Sequence, residues 1–111
     1  MTQDTRAPLK QVDFLVLAVL QGEPLHGYGI VQALEALTDG RVRLRPGDVY
    51  RVLYRMENEG LLRSTPAPEP TDDRRSYYRI TAEGREMVRD QARLLSGVSA
   101  AVLARSGTDG A

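Results

Sequence analysis

A helix-like segment that leads directly into two strand-like runs restricts the fold of this chain more than any other feature. The segment that Pro46 opens has apolar residues at the spacing of one helix face, and Gly60 stands where a glycine commonly ends a helix. Two strand-like runs follow, LLRST (61–65) and RSYYRIT (75–81), separated by the proline- and acid-rich PAPEPTDD (66–73). This order predicts a helix followed by a β-hairpin with a long, exposed tip.

The remaining segments predict two helices before this unit and one after it. Residues 9–21 are apolar almost all round, and residues 26–38 carry one apolar face. RVRLR (41–45) alternates charged and apolar residues and is interpreted as a short strand. Thr81 can cap a last helix from residue 82 to about residue 104.

These elements together predict a mainly α fold with a small β-hairpin. The expected architecture is a winged helix-turn-helix followed by a long C-terminal helix. The predicted divisions are the winged helix-turn-helix over residues 9–81, a dimerisation helix over residues 82–105, and flexible termini at residues 1–8 and 106–111.

The composition limits the kinds of site that the chain can form. Its 111 residues fit one domain, it has no cysteine, and His26 is its single histidine. Disulfides, thiolate metal sites and cysteine nucleophiles are therefore excluded. Since no carboxylate pair or glycine-rich phosphate loop stands at a useful spacing, we expect neither an enzyme nor a cofactor. The longest apolar run, residues 14–20, is too short to span a bilayer, so we expect a soluble, cytoplasmic protein with no membrane partner.

The charges balance over the whole chain but not locally. The net formal charge is zero, which taken alone argues against a nucleic-acid partner. Between residues 41 and 79, however, nine arginines stand against six acidic residues. The local excess is small, so the arrangement of the basic residues has to carry any prediction of DNA binding.

The helix that begins at Pro46 has an outward face suited to nucleic acid. At 100° per residue, Arg51, Tyr54 and Asn58 point away from the apolar face, with Arg55 somewhat displaced and Tyr50 on the flank. Guanidinium, phenol and carboxamide groups bond phosphate oxygens and base edges. We predict DNA contacts from these five residues and from Arg45 on the wet side of the preceding stretch. The alternative is a solvated helix face with half-packed tyrosines.

The second helix opens with PLHGYGI (24–30), which places Gly27 and Gly29 in one turn. Glycine in a helix costs roughly 1 kcal/mol relative to alanine, so a close approach to this backbone is expected. Either a DNA phosphate docks on the helix N-terminus, or the helix packs tightly against the third helix. His26 is interpreted as a cap or a phosphate neighbour, and Tyr28 as a further DNA contact.

The hairpin adds Arg74 and Arg75 where its acidic tip meets the returning strand. A wing in this position would straddle the sugar-phosphate backbone and place arginine in or beside the minor groove. Local pairing with Asp72 and Asp73 is the alternative.

Three separated blocks resemble the PadR family of transcriptional regulators, namely PLHGYGI (24–30), GDVYRVLYRMENEGLL (47–62) and DRRSYYRITAEG (73–84). The resemblance implies a winged helix-turn-helix homodimer that represses by binding a double-stranded DNA operator and dimerises through its last helix. It also implies that Tyr50 is the family's recognition-helix tyrosine and that Arg74 and Arg75 are its wing arginines. The family's usual GTLYP is GDVYR here, so Asp48 replaces a threonine and Arg51 replaces a proline.

Apolar residues on the first and last helices predict a homodimer. The stripe on the last helix is close to a seven-residue repeat, and the first helix has more apolar surface than one small core needs. The expected contact residues are Phe14, Leu17, Met87, Val88, Leu94, Leu95, Val98 and Val102. A small apolar effector between these helices at the dimer centre is a further hypothesis, motivated by the surplus of Phe14, Leu17 and Leu20 on the first helix and by Met87, Leu94 and Val98 opposite. The alternative is a fully packed contact with no cavity.

A winged-helix protein-interaction module without specific DNA binding remains the alternative function. The acidic hairpin tip and the zero net charge leave it open.

Overall fold

The computed structural model describes residues 8–68 and 75–107. In chain order the elements are α1 (Gln11–Val19), β1 (Leu25–His26), α2 (Gly27–Leu37), α3 (Pro46–Asn58), β2 (Leu62–Thr65), β3 (Tyr77–Ile80) and α4 (Ala82–Gly107). The predicted fold class is confirmed, and the helix boundaries differ from those predicted by up to three residues. Residues 106 and 107 belong to α4, whereas the other residues of the predicted flexible termini, except Pro8, lie outside the described residues.

The core lies where α1, α2 and α3 meet one face of the sheet. Each helix contributes one buried stripe, and the buried residues that follow α3 complete the cluster. The buried apolar residues are Val16, Leu17, Leu20, Ile30, Val31, Leu34, Val49, Leu53, Met56, Leu61, Leu62, Ile80 and Val88. Because Val49, Leu53 and Met56 fix the inner side of α3, its opposite side is directed away from the domain.

The sheet has three antiparallel strands in the order β1-β3-β2. In the predicted hairpin, Leu62 pairs with Ile80 and Thr65 with Tyr77. The third strand is β1, in which Leu25 pairs with Tyr78. The start of α2 is therefore hydrogen-bonded to the wing.

The prediction of a strand at RVRLR was wrong. Residues 41–45 form a loop that continues the last turn of α2: the Val42 N–H donates to Thr38 Oγ1 at 3.0 Å and the Arg41 N–H to the Thr38 carbonyl at 3.1 Å. Asp39 and Gly40 both have positive φ, which turns the chain away from the sheet before these residues. Their alternation therefore has no neighbouring strand with which to pair.

The end of α3 confirms the expected role of Gly60. This glycine has φ +80°, and the Leu61 N–H donates back to the Met56 carbonyl at 3.0 Å. The left-handed residue and this backward bond form a glycine-terminated C-cap, which turns the chain directly into β2.

The base of α4 is fixed to the same corner. Thr81 Oγ1 accepts from the Gly84 N–H at 3.0 Å, as predicted for a cap, and donates to the Gly60 carbonyl at 2.7 Å. Gly84 is buried against the Leu61 carbonyl so closely that any side chain there would clash. Further along, Gln91 bonds both the N–H and the carbonyl of Leu9, at 2.7 and 2.9 Å. The first ten residues of α4 therefore belong to the domain.

Candidate nucleic-acid interface

The outward face of α3 is a polar aromatic surface. Tyr54 is 70% exposed, the Arg51 side chain is 78% exposed, and Tyr50 and Asn58 are also exposed. The structure thus brings together four of the five residues predicted for this face. We call these four residues the α3 surface.

Tyr50 also explains the glycine at the start of α2. A Cβ built on Gly27 would lie 2.5 Å from Tyr50 Cζ, so a larger residue there would displace the Tyr50 ring from its place against α2. Of the two explanations left open for Gly27, the structure supports tight packing against α3. At Gly29 the nearest atom would be 3.5 Å away, an ordinary contact, so packing does not require that glycine.

His26 is the cap of α2. Its Nδ1 accepts a hydrogen bond from the Gly29 N–H at 2.9 Å, and its ring meets the Tyr77 ring edge-on with centroids 5.1 Å apart. The capping interpretation is confirmed. Tyr28 is exposed on the first turn of α2. It follows Gly27, the buried residue that the Tyr50 ring contacts.

Arg55 does not project outward as predicted. Its two terminal nitrogens each donate to a carboxylate oxygen of Asp13, both at 2.9 Å, and Asp13 is only 4% exposed. These bonds raise the pKa of the Arg55 guanidinium above its ordinary value. A buried carboxylate needs such a partner, so the α1–α3 contact orients this arginine toward the domain. The expectation that Arg55 points away from the core is therefore corrected.

The Asp13–Arg55 pair lies between two open cavities of about 380 and 600 Å³. Sequence reasoning missed this pair. The signal was Asp13 itself, the single charged residue in an apolar run.

The wing is described in part. Arg75 is exposed just before β3, whereas Arg74 and the acidic tip at residues 69–73 lie outside the described residues. Within β3, burial and the nearby Glu57 and Tyr50 raise the pKa of Tyr78. Arg45 occupies the N-cap position of α3 and is exposed.

The residues predicted for dimerisation divide into two groups. Leu17 and Val88 are buried in the domain's own core, so their assignment to the dimer contact was wrong. Leu20 is also buried there, which removes two of the three residues that motivated an effector site. Phe14 and Met87 pack partly against the core. Leu94, Leu95, Val98 and Val102 are exposed on α4, and Leu103 is exposed as well. We call the first four the α4 stripe.

Two other kinds of feature are a membrane-spanning helix and a group of metal ligands. None of the helices in the described ranges is long and apolar enough to cross a membrane. Within the same ranges, no three histidine or acidic side chains are grouped as metal ligands would be.

Three helices around one core, a hairpin after the third helix and a polar aromatic face on that helix define a winged helix-turn-helix protein. The model of the transcriptional regulator PadR-like family matches residues 16–90. The chain belongs to this family of transcriptional regulators.

Individual proteins are similar to this chain in sequence or in fold. Over 88 residues the chain is 35% identical to an uncharacterized 37.1 kDa protein in transposon TN4556 of Streptomyces fradiae; the match covers 79% of this chain and 24% of the relative, about a quarter of its length. The fold is similar to that of a PadR family transcription regulator from Clostridium difficile, with a TM-score of 0.72, 24% identity, and coverage of 86% of this chain and 97% of that one. It is also similar to Bacillus subtilis PadR solved in complex with operator DNA, with a TM-score of 0.66, 18% identity, and coverage of 78% and 49%.

Proposed function

We propose that the protein is a sequence-specific DNA-binding regulator that represses transcription as a homodimer on a double-stranded operator. In this proposal the winged helix-turn-helix over residues 9–81 binds DNA and the helix over residues 82–105 dimerises. The α3 surface enters the major groove, Arg74 and Arg75 contact the backbone or the minor groove, and Arg45, His26 and Tyr28 lie near flanking phosphates.

The exposed α3 surface carries this proposal. Its guanidinium and carboxamide groups bond base edges, its phenols bond phosphate oxygens, and the buried residues on the opposite side of α3 hold all of them facing outward. Bacillus subtilis PadR, which has a similar fold, was solved with operator DNA, and this supports DNA as the partner proposed here.

A selection from random double-stranded DNA, followed by binding measurements at several salt concentrations, tests the proposal. We expect one enriched operator, and a logarithm of the association constant that falls linearly with the logarithm of salt concentration because phosphate contacts release counterions. Arg51→Ala should weaken operator binding by about 5- to 100-fold.

Arg93→Ala is the matched control, since it removes the same charge from an exposed position on α4. It should leave operator affinity unchanged. If the protein enriches no sequence and shows no salt-dependent binding, the proposal is wrong and the alternative of a protein-interaction module is favoured.

The homodimer is proposed on the α4 stripe. Its four apolar residues lie beyond the part of α4 that the domain covers, and a second copy offers the same stripe in a self-complementary contact. A small apolar effector at the dimer centre remains part of the proposal, with support now limited to Phe14, Met87 and the α4 stripe.

A further inference from the structure

We infer that Asp48 is a specificity-determining residue of the α3 surface: it orients the Arg51 guanidinium toward one base pair and disfavours contact with all other DNA. The inference rests on the proposed function. It assigns a role to a negative charge on a face that would otherwise attract DNA.

The two arginines one turn apart on α3 differ in how many of their N–H groups already donate a hydrogen bond. Arg55 uses both terminal nitrogens in its bidentate contact with Asp13. Among the described residues, Arg51 bonds Asp48 Oδ1 through Nη2 alone. This leaves Nε–H, one N–H of Nη2 and both N–H groups of Nη1, and two of these groups side by side can form the fork that bonds guanine O6 and N7.

The bond to Asp48 restricts a side chain that would otherwise have many rotamers. An exposed arginine loses considerable rotamer freedom when it binds, and a partner that restricts it beforehand lowers that cost. Asp48 lies in the first turn of α3, where the helix dipole favours a negative charge. Both side chains are exposed, so the pair adds little to folding stability, and the role inferred for it is at the DNA contact.

The same carboxylate repels phosphates. Near DNA, Asp48 therefore lowers the affinity for every sequence, and only a base pair that accepts the oriented Arg51 fork recovers the loss. The orientation of Arg51 and the repulsion of phosphates both increase the difference in affinity between the matching DNA sequence and all others, and specificity is such a difference.

The test uses the full chain, the operator selected from random DNA, and a set of operators changed at one base pair each. We expect the wild type to prefer one G·C pair by ~10-fold or more, and Arg51→Ala to lose this preference. Asp48→Asn keeps the shape but removes the charge. It should reduce the preference at the same base pair to less than ~3-fold while tightening binding to random DNA.

The double variant Asp48→Asn/Arg51→Ala should show the same base preference as Arg51→Ala alone, because Asp48 acts through Arg51. Arg51→Lys keeps the charge without the fork and should also lose the preference. Asp39→Asn is the matched charge control: Asp39 is exposed, has φ 54°, and lies in a conformation that asparagine tolerates. It should keep the full preference.

Unchanged base preference in Asp48→Asn, at the pair that Arg51→Ala affects, would overturn the inference and leave the proposed function standing. The inference would also be overturned if Asp48→Asn changed the base preference by the same factor in the Arg51→Ala background as in the wild type. If the wild type selects no sequence, the proposed function is wrong and the inference fails with it. Thermal melting of each variant verifies that the exposed substitutions leave the fold intact.

Discussion

At the residue scale, the pair formed by Asp13 and Arg55 connects α1 to α3 over 42 positions of sequence. Its two parallel bonds fix the relative rotation of the helices more firmly than apolar packing alone, because guanidinium and carboxylate meet in one plane. The Arg55 side chain is 39% exposed, so water still solvates part of the cation. Loss of the carboxylate therefore costs less than in a fully buried pair.

Asp13→Ala is predicted to lower the free energy of unfolding by about 1–3 kcal/mol, below the range for a fully buried pair because of that solvation. Urea denaturation followed by circular dichroism measures the change. Replacing both partners, as Asp13→Leu/Arg55→Met, should restore most of the stability because no charge is then left without a partner. Asp90→Ala, which breaks an exposed pair with Arg93, is the control and should cost under ~0.5 kcal/mol. An Asp13→Ala midpoint equal to that of the wild type would contradict the prediction.

At the element scale, α4 has two parts with different surroundings. Its first ten residues contact the domain through Gly84, Val88 and Gln91, with Thr81 as the cap before them, whereas the described side chains beyond Gln91 are exposed. Helix propensity alone gives little stability to an isolated helix end that exposes leucine and valine. Packing of its apolar face against a partner would stabilise it.

Leu95→Asp and Val98→Asp are each predicted to convert the dimer to a monomer, since either places a charge in an apolar contact. Sedimentation equilibrium at several protein concentrations measures the mass. Ala100→Asp, at an exposed position on the opposite side of α4, is the matched control and should remain dimeric. Equal masses for the wild type and both stripe variants would show that the contact lies elsewhere.

Elements set by local signals were predictable from the sequence. Helix spacing gave the inner and outer sides of α3, and Gly60 and Thr81 were assigned their caps correctly because a cap depends on neighbouring residues. The three-stranded sheet was not predictable in full. The two residues of β1 are too short for a periodic pattern, and they form a strand only because β3 lies beside them.

The site was predicted less completely than the fold. Arg51, Tyr54 and Asn58 were placed outward by geometry that holds for any helix with this inner face. Arg55 was misplaced because its partner lies on another helix, and Leu17 and Val88 were misassigned because spacing alone does not divide an apolar surface between core and dimer contact. Gly84 gave a usable signal, a costly glycine in the first turn of a helix, whose cause is the Leu61 carbonyl.

At the scale of the whole molecule, dimerisation through α4 would determine the distance between two α3 surfaces. Helix-turn-helix dimers read half-sites one turn of DNA apart, about 34 Å, so this distance has to match the operator. A ligand at the dimer centre can relieve repression only if it binds more tightly to the dimer whose α3 distance does not match the operator than to the dimer whose distance matches it.

A small planar or phenolic compound that binds at this centre is predicted to weaken operator binding. A 10-fold release requires about 1.4 kcal/mol of preference for the mismatched spacing. Calorimetric titration of the free dimer, followed by operator titration with the compound present, measures both quantities. Val98→Ala should change compound binding, whereas Ala100→Ser should not. Compounds that bind the free dimer but leave operator affinity unchanged would contradict a regulatory role for this centre.

The buried glycine at the base of α4 has a mechanical consequence. Because Gly84 allows the helix backbone to rest directly on the Leu61 carbonyl, no side chain separates α4 from the residues that lead into β2 at this joint. The 26 residues of α4 extend ~39 Å at ~1.5 Å per residue, so a tilt of ~5° at the joint displaces the far end by ~3 Å. Conversely, a shift of that size where two copies meet would tilt the base of α4 by the same few degrees.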